Sequence, residues 1–175
     1  MRNSSLHICA LIPTYNNANT ILDVVRRTRK QLKDIIVVVD GCTDNTLDLL
    51  QELEFPITIV SYSKNKGKGY ALKQGFRKAI ELGFEYALTI DSDGQHYPED
   101  IPLLIDAIKK HPGSMIIGSR KLTSENVPGK NKFANKFSNF WFRLQTHINL
   151  PDTQTGFRIY PLNKLYGLSL LTSRY

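Results

Sequence analysis

Ala87-Leu88-Thr89-Ile90-Asp91-Ser92-Asp93-Gly94-Gln95-His96 reads as a short apolar strand running directly into two carboxylates with one residue between them. Side chains alternate along a strand, so Asp91 and Asp93 are expected on one side, with Gln95 offering a further oxygen there. Two ionised carboxylates on one side repel each other, and burial sharpens the repulsion. A divalent cation relieves it. Oxygen ligands suit Mg²⁺, Mn²⁺ or Ca²⁺, and such a cation normally keeps positions open for phosphate oxygens. Two other readings compete. Asp-Ser-Asp-Gly can be no more than a polar turn ending a strand. It can also be a calcium loop with Gly94 at the sixth position, but then Thr89 holds the first ligand place and Pro98 falls inside the loop. The string alone is weak, and the rest of the chain decides.

Outward from it, apolar runs and helical periodicities alternate. Strands are expected at 7–12, 35–39, 57–61, 86–90 and 115–117. The run at 35–39 is continuously β-branched, the mark of a strand buried on both faces. Between the strands, Asn17 or Asn19 can cap a helix carrying Ile21, Leu22, Val25 and Leu32 on its apolar side. A second helix is expected at 45–53. A third follows Lys64-Asn65-Lys66-Gly67-Lys68-Gly69 and bears Ala71, Leu72, Phe76 and Ile80. Pro98 suits the first turn of a fourth, reaching about Lys110. Strands alternating with helices give an α/β fold: a Rossmann-like, mostly parallel sheet flanked by helices, in one domain over residues 1–175.

In such sheets ligands bind beyond the carboxyl ends of the strands. Those ends carry Pro13-Thr14, Asp40, Asp91 with Asp93, and Ser119-Arg120. Their shared edge, more than any single motif, makes a site. Gly67-Lys68-Gly69 lacks the third glycine of a dinucleotide loop and the spacing of a P-loop. It is either a solvated basic loop or a place where backbone and lysines approach a nucleotide. Asp40 is either a turn residue or a hydrogen-bond acceptor for the imide N–H of uracil or guanine.

The chain has 175 residues, enough to bury roughly 70% of its unfolded surface. Apolar content of 41% and charged content of 22% place it among ordinary globular proteins. A net charge of +7 favours anionic partners: nucleotide phosphates, nucleic acid or anionic lipid. No apolar run is long enough to span a bilayer, and Met1-Arg2-Asn3-Ser4-Ser5 does not open a signal peptide. Cys9 and Cys42 lack metal-ligand spacing, so free thiols in a reducing cytosol are expected.

Ile12-Pro13-Thr14-Tyr15-Asn16, then Val39-Asp40-Gly41-Cys42-Thr43-Asp44-Asn45-Thr46, then Asn65-Lys66-Gly67-Lys68-Gly69, then Asp91-Ser92-Asp93-Gly94-Gln95 form an ordered series. The series resembles family 2 inverting glycosyltransferases with the GT-A fold. Gly118-Ser119-Arg120 and Asp152-Thr153-Gln154-Thr155-Gly156-Phe157-Arg158 resemble the dolichyl- or polyprenyl-phosphate sugar transferase branch, of the dolichol-phosphate mannosyltransferase type. The resemblance implies a UDP- or GDP-sugar donor, Mg²⁺ or Mn²⁺, and a polyprenyl-phosphate acceptor at a membrane surface. Asp91, Asp93 and Gln95 would hold the metal and the diphosphate, with Ser92 between them and Gly67 and Lys68 nearby. Pro13, Thr14, Tyr15 and Asp40 would line the nucleoside pocket. Arg120 and Arg158 would meet the diphosphate or the acceptor phosphate, which suits a guanidinium fork. Asp152 would sit near the reacting centre as a base or an orienting group. Two departures stand out. The family's Asp-Asp-Gly-Ser appears as Val39-Asp40-Gly41-Cys42, with one carboxylate gone. The family also continues past the position of Tyr175, so the chain is expected to be a catalytic domain truncated at its C-terminus.

At 130–150, Phe133, Phe137, Phe140, Trp141 and Leu144 fall at helical spacing with Lys132, Lys136 and Arg143 interleaved. This is either a helix packed on the core or an interfacial helix, which would make the chain peripheral at the membrane. Three other functions compete with sugar transfer. A binding module would hold a nucleotide sugar without turnover. A sugar nucleotidyltransferase would want a glycine-rich loop after the first strand, where Pro13-Thr14-Tyr15-Asn16 stands. A nucleic-acid binder is suggested by net charge alone, and the carboxylate cluster argues against it.

Overall fold

The computed structural model describes residues 6–118 and 155–165. Strands β1 (Ile8–Thr14), β2 (Ile35–Asp40), β3 (Thr58–Tyr62), β4 (Tyr86–Thr89), β5 (Ile116–Ile117) and β6 (Arg158–Pro161) form one sheet in the order β3-β2-β1-β4-β6-β5. The first four are parallel, and β6 runs antiparallel to both β4 and β5. Helices α1 (Ile21–Gln31), α2 (Thr46–Gln51), α3 (Lys68–Glu81) and α4 (Ile101–Lys110) connect them.

Period-two alternation splits the sheet between two cores. Ile8, Ala10 and Ile12 of β1, with Ile35, Val37 and Val39 of β2, pack into one cluster with Ile21, Val24 and Val25 of α1 and Leu50 of α2. Cys9, Leu11, Ile36 and Val38 pack on the other face, with Ala71, Phe76 and Ala79 of α3. Covering both faces explains why these strands read as unbroken apolar runs. Both cysteines are free. Burial pushes the Cys9 thiol up to about 12, so it behaves as a small core hydrophobe.

Several boundaries differ from expectation. Thr20, not Asn17 or Asn19, occupies the cap position of α1, and its hydroxyl donates to the Ser92 carbonyl at 2.6 Å instead of capping. Asn17 serves the helix start through its carbonyl, which accepts from the Thr20 and Ile21 N–H groups. Pro98 lies in a 3-10 turn, Pro98–Asp100, that precedes α4. β6 was not foreseen at all. The segment 130–150 lies outside the described residues.

Candidate active site

The order of β2, β1 and β4 fixes where a site can form. From β1 the chain steps outward to β2 and β3, then returns to lay β4 on β1's other side. The connections therefore diverge beyond the carboxyl ends of β1 and β4 and leave a crevice. A cavity of about 300 Å³ opens there. Pro13, Thr14 and Tyr15 enter it from the end of β1, and Asp40 from the end of β2. Gly67 and Lys68 enter from the start of α3, and Asp91, Ser92 and Asp93 from the turn after β4. Residues scattered through the sequence are thus brought to one edge. Gln95 and Arg158 are not on the cavity wall. Arg120 and Asp152 lie outside the described residues.

Asp91 has a side-chain partner beside each of its oxygens. Its side chain is about four-fifths buried, at 20% exposure, and Lys68 Nζ lies 2.6 Å from Oδ1. His96, itself buried, places Nε2 3.8 Å from Oδ2. Beneath the carboxylate lies the backbone of Gly156. A Cβ there would collide with both carboxylate oxygens, so any larger residue forces the carboxylate or the backbone to move. Burial on its own would raise the Asp91 pKa. The His96 ring and the Lys68 charge outweigh it and hold the carboxyl at about 2, so it is ionised at neutral pH.

Asp93 does not share a strand with Asp91. β4 ends at Thr89, and strand alternation does not apply to the two carboxylates. Asp93 is exposed, and its Oδ1 accepts the Gln95 N–H at 3.0 Å, closing a tight turn that passes through Gly94 at φ +77°. The local Asp-turn geometry wins over strand continuation. Both carboxylates still reach the same cavity, by a turn instead of a pleat. Ser92 fixes that turn: its buried hydroxyl accepts from Asn17 Nδ2 at 2.9 Å while its carbonyl accepts from Thr20.

Asp40 is nearly fully buried, at 3% exposure. Its two oxygens accept the backbone N–H groups of Lys66 at 2.7 Å and Gly67 at 2.8 Å. It therefore shapes the glycine-rich loop from inside, whatever it offers to a base. Burial pushes the neighbouring Tyr62 hydroxyl above its ordinary pKa, and the Asp40 carboxylate adds to the effect. Lys66 lies over the Tyr70 ring at 4.5 Å and also faces Tyr62, so the same loop is held from outside. Arg158 sits on β6, where Nε donates to the Thr155 carbonyl at 2.8 Å and Nη1 to the Tyr160 hydroxyl at 3.3 Å.

Three contributors carried no chemical expectation: Asn17, His96 and Gly156. His96 stacks on Phe157, ring centroids 5.5 Å apart, so the segment around Gly156 closes over Asp91 from β6. The string Thr155-Gly156-Phe157-Arg158 was visible in the sequence; its contact with Asp91 was not, because it depends on β6 pairing with β4.

In open α/β sheets ligands bind in this crevice, beyond the carboxyl ends of the strands. This chain belongs to glycosyl transferase family 2, whose sequence profile matches residues 9–166. Among its relatives is the UDP-N-acetylglucosamine–dolichyl-phosphate N-acetylglucosaminyltransferase of Methanococcus voltae, 34% identical, over 96% of this chain and 75% of the relative. Another is the undecaprenyl-phosphate mannosyltransferase of Micrococcus luteus, 30% identical, over 94% of this chain and 70% of the relative. Among solved structures, glucosyl-3-phosphoglycerate synthase of Mycobacterium tuberculosis with Mn²⁺, UDP-glucose and phosphoglyceric acid superposes with a TM-score of 0.72 at 18% identity, covering 93% of this chain and 59% of that one. S. aureus TarS (1–349) with UDP-GlcNAc gives 0.64 at 20% identity, covering 92% and 47%. At these identities the solved structures establish the GT-A fold and no more, and this chain spans only about half the length of the TarS chain.

Proposed function

We propose that the chain is the donor-binding, catalytic part of a divalent-metal-dependent transferase that moves a sugar from a UDP- or GDP-sugar to a polyprenyl phosphate. The observation that carries this reading is the ionised, four-fifths-buried Asp91 sharing one cavity with Asp93 and with Lys68 at the switch point of the sheet. The names of the relatives favour a UDP-sugar donor and a lipid-phosphate acceptor.

Among the described residues no three His, Cys, Asp or Glu side chains converge into a cage. Two hard carboxylates on one cavity suit Mg²⁺ or Mn²⁺, with the diphosphate as the source of further oxygens. Asp91 and Asp93 would hold it, with Gln95 beside them. Once bound, the metal supplies positive charge against the charge that develops on the departing diphosphate.

The remaining work falls to the chain itself. Pro13, Thr14 and Tyr15 form the wall for the nucleoside. Asp40 holds the Lys66–Gly67 backbone in place, and Lys68 delivers an ammonium to the phosphates. In the inverting step an acceptor oxygen bonds to the sugar's anomeric carbon as the bond from that carbon to the diphosphate oxygen breaks. The nucleoside diphosphate leaves with the electron pair. A phosphate acceptor is largely ionised at neutral pH, so Asp152 is needed more to orient groups than to take a proton. Arg120 and Arg158 answer the charge of the diphosphate or of the acceptor phosphate. Among the described residues no helix is long and apolar enough to cross a membrane. Peripheral docking from the cytoplasmic side, with 130–150 in the interface, is part of the proposal.

Calorimetry tests it. UDP or GDP should bind in Mn²⁺ or Mg²⁺, and Asp93→Asn should weaken binding at least about tenfold. Equal affinity in EDTA would overturn the metal-dependent reading.

A further inference from the structure

The position of Lys68 carries a consequence beyond phosphate binding, one that rests on the metal-dependent reading. Asp91 offers a cation few approaches. Gly156 lies flat against the carboxylate and His96 stands by Oδ2. The Oδ1 side faces Lys68, and there the ammonium sits at 2.6 Å. A Mg²⁺ ion bonds its oxygen ligands at about 2.0–2.1 Å. An ammonium and a divalent ion on one oxygen would repel each other at close range in a half-buried site. The two cations compete for that oxygen, and Lys68 is able to leave it. Its side chain is 45% exposed, it hangs on a flexible four-carbon stem, and it begins α3 at the cavity wall.

We propose that Lys68 is a resident counter-cation of Asp91 that competes with the divalent metal, and that the donor's diphosphate relieves the competition by giving the ammonium a new partner. Metal alone then meets a site already neutralised and binds weakly. Metal with nucleotide binds well, because the diphosphate accepts Lys68 and leaves Oδ1 to the metal. The two ligands are therefore positively coupled, and linkage requires each to tighten the other by the same factor. Asp91 stays neutralised between turnovers without retaining metal.

Mn²⁺ binding, read as loss of the free-ion EPR signal, tests this without any turnover. The parent should bind Mn²⁺ weakly alone and about 5- to 150-fold more tightly with saturating UDP. Lys68→Met should bind Mn²⁺ alone at least about fivefold more tightly than the parent, and UDP should then add much less. Lys68→Arg keeps the charge and should stay close to the parent. Thermal melts of all three proteins check that they are folded. If Lys68→Met binds Mn²⁺ alone no better than the parent while UDP-dependent Mn²⁺ binding persists, the competition is refuted and the metal-dependent reading stands. If neither protein takes up Mn²⁺ with UDP present, the metal-dependent reading fails and the competition with it.

Discussion

Two carboxylates stand at the ends of parallel strands on the same edge of this sheet, and they are neutralised in opposite ways. Asp40, ending β2, is satisfied by two backbone N–H groups that cannot leave without unfolding the loop. Asp91, two residues past β4, is satisfied by a side-chain ammonium on a flexible stem. The first arrangement is architecture: charge is spent on fixing the Lys66–Gly67 turn and the start of α3. The second is chemistry held ready, since an ionised carboxylate with a removable partner can exchange it for a metal or a phosphate-bound ion. Burial alone would rank Asp40 above Asp91 as the unusual group, because Asp40 is only 3% exposed. The identity of the partner, not the depth, separates the two roles.

The largest effect expected from breaking this contrast is on stability. Asp40→Ala leaves the part-buried N–H groups of Lys66 and Gly67 without their carboxylate acceptor, and hydrogen bonds to charged groups contribute about 1.5–3 kcal/mol each. A loss of about 3 kcal/mol in urea-denaturation free energy is expected, with the 64–67 loop gaining amide exchange. A loss under about 0.5 kcal/mol would mean that the loop holds itself, for example through Lys66 between Tyr62 and Tyr70, and the contrast would collapse.

Gly156→Ala sharpens the other side. Its Cβ would overlap the Asp91 carboxylate, while the Gly156 carbonyl accepts from Thr89 Oγ1 at 2.7 Å and pins the backbone to β4. Either the carboxylate or the strand pairing must shift. Overpacking of this kind costs about 1–3 kcal/mol, and Mn²⁺-dependent UDP binding should weaken at least about tenfold. Stability lost with UDP binding intact would show that Gly156 matters to β6 and not to Asp91.

The sequence made some of this legible and hid the rest for physical reasons. The strand cores were readable because 35–39 is apolar without interruption, as burial on both faces requires, and 86–90 departs from that only at Tyr86 and Thr89. The shared edge followed from parallel topology. β6 was hidden because Arg158–Pro161 spans four residues, includes a proline, and is a strand only by virtue of β4 and β5 on either side. The role of Gly156 was hidden with it, since a glycine's reason is what approaches it. Asp91 and Asp93 were found by an argument from strand alternation that the structure replaces with a turn; the string was informative, and the geometry first attached to it was not. Asp40 shows the limit of motif reasoning, because residue type and strand-end position cannot tell an acceptor facing a ligand from one facing its own backbone.

The smallest effect concerns a third carboxylate, on the surface. Arg27 of α1 grips Glu99 in a fork, Nε to Oε1 at 2.9 Å and Nη2 to Oε2 at 2.7 Å, tying the helix to the 3-10 turn that follows the Asp91 turn. The Arg27 hydrogen bonds hold Glu99 down from its ordinary 4.5 to about 2. A depressed carboxyl pKa means the folded state favours the ionised form. The contribution is therefore fully present above pH 4.5 and disappears as pH falls through about 2. Glu99 is exposed and Arg27 partly so, with side chains at 51% and 26%, so solvent screening limits the pair to under about 1 kcal/mol despite the size of the shift. Glu99→Gln should lower the melting temperature by only a few degrees at neutral pH, by less in about 1 M salt, and by nothing measurable near pH 2. A loss that persists in high salt and at low pH would mean that the fork acts through its packing and geometry. Glu99 would then belong with Asp40, among the carboxylates that build the frame around the Asp91 turn.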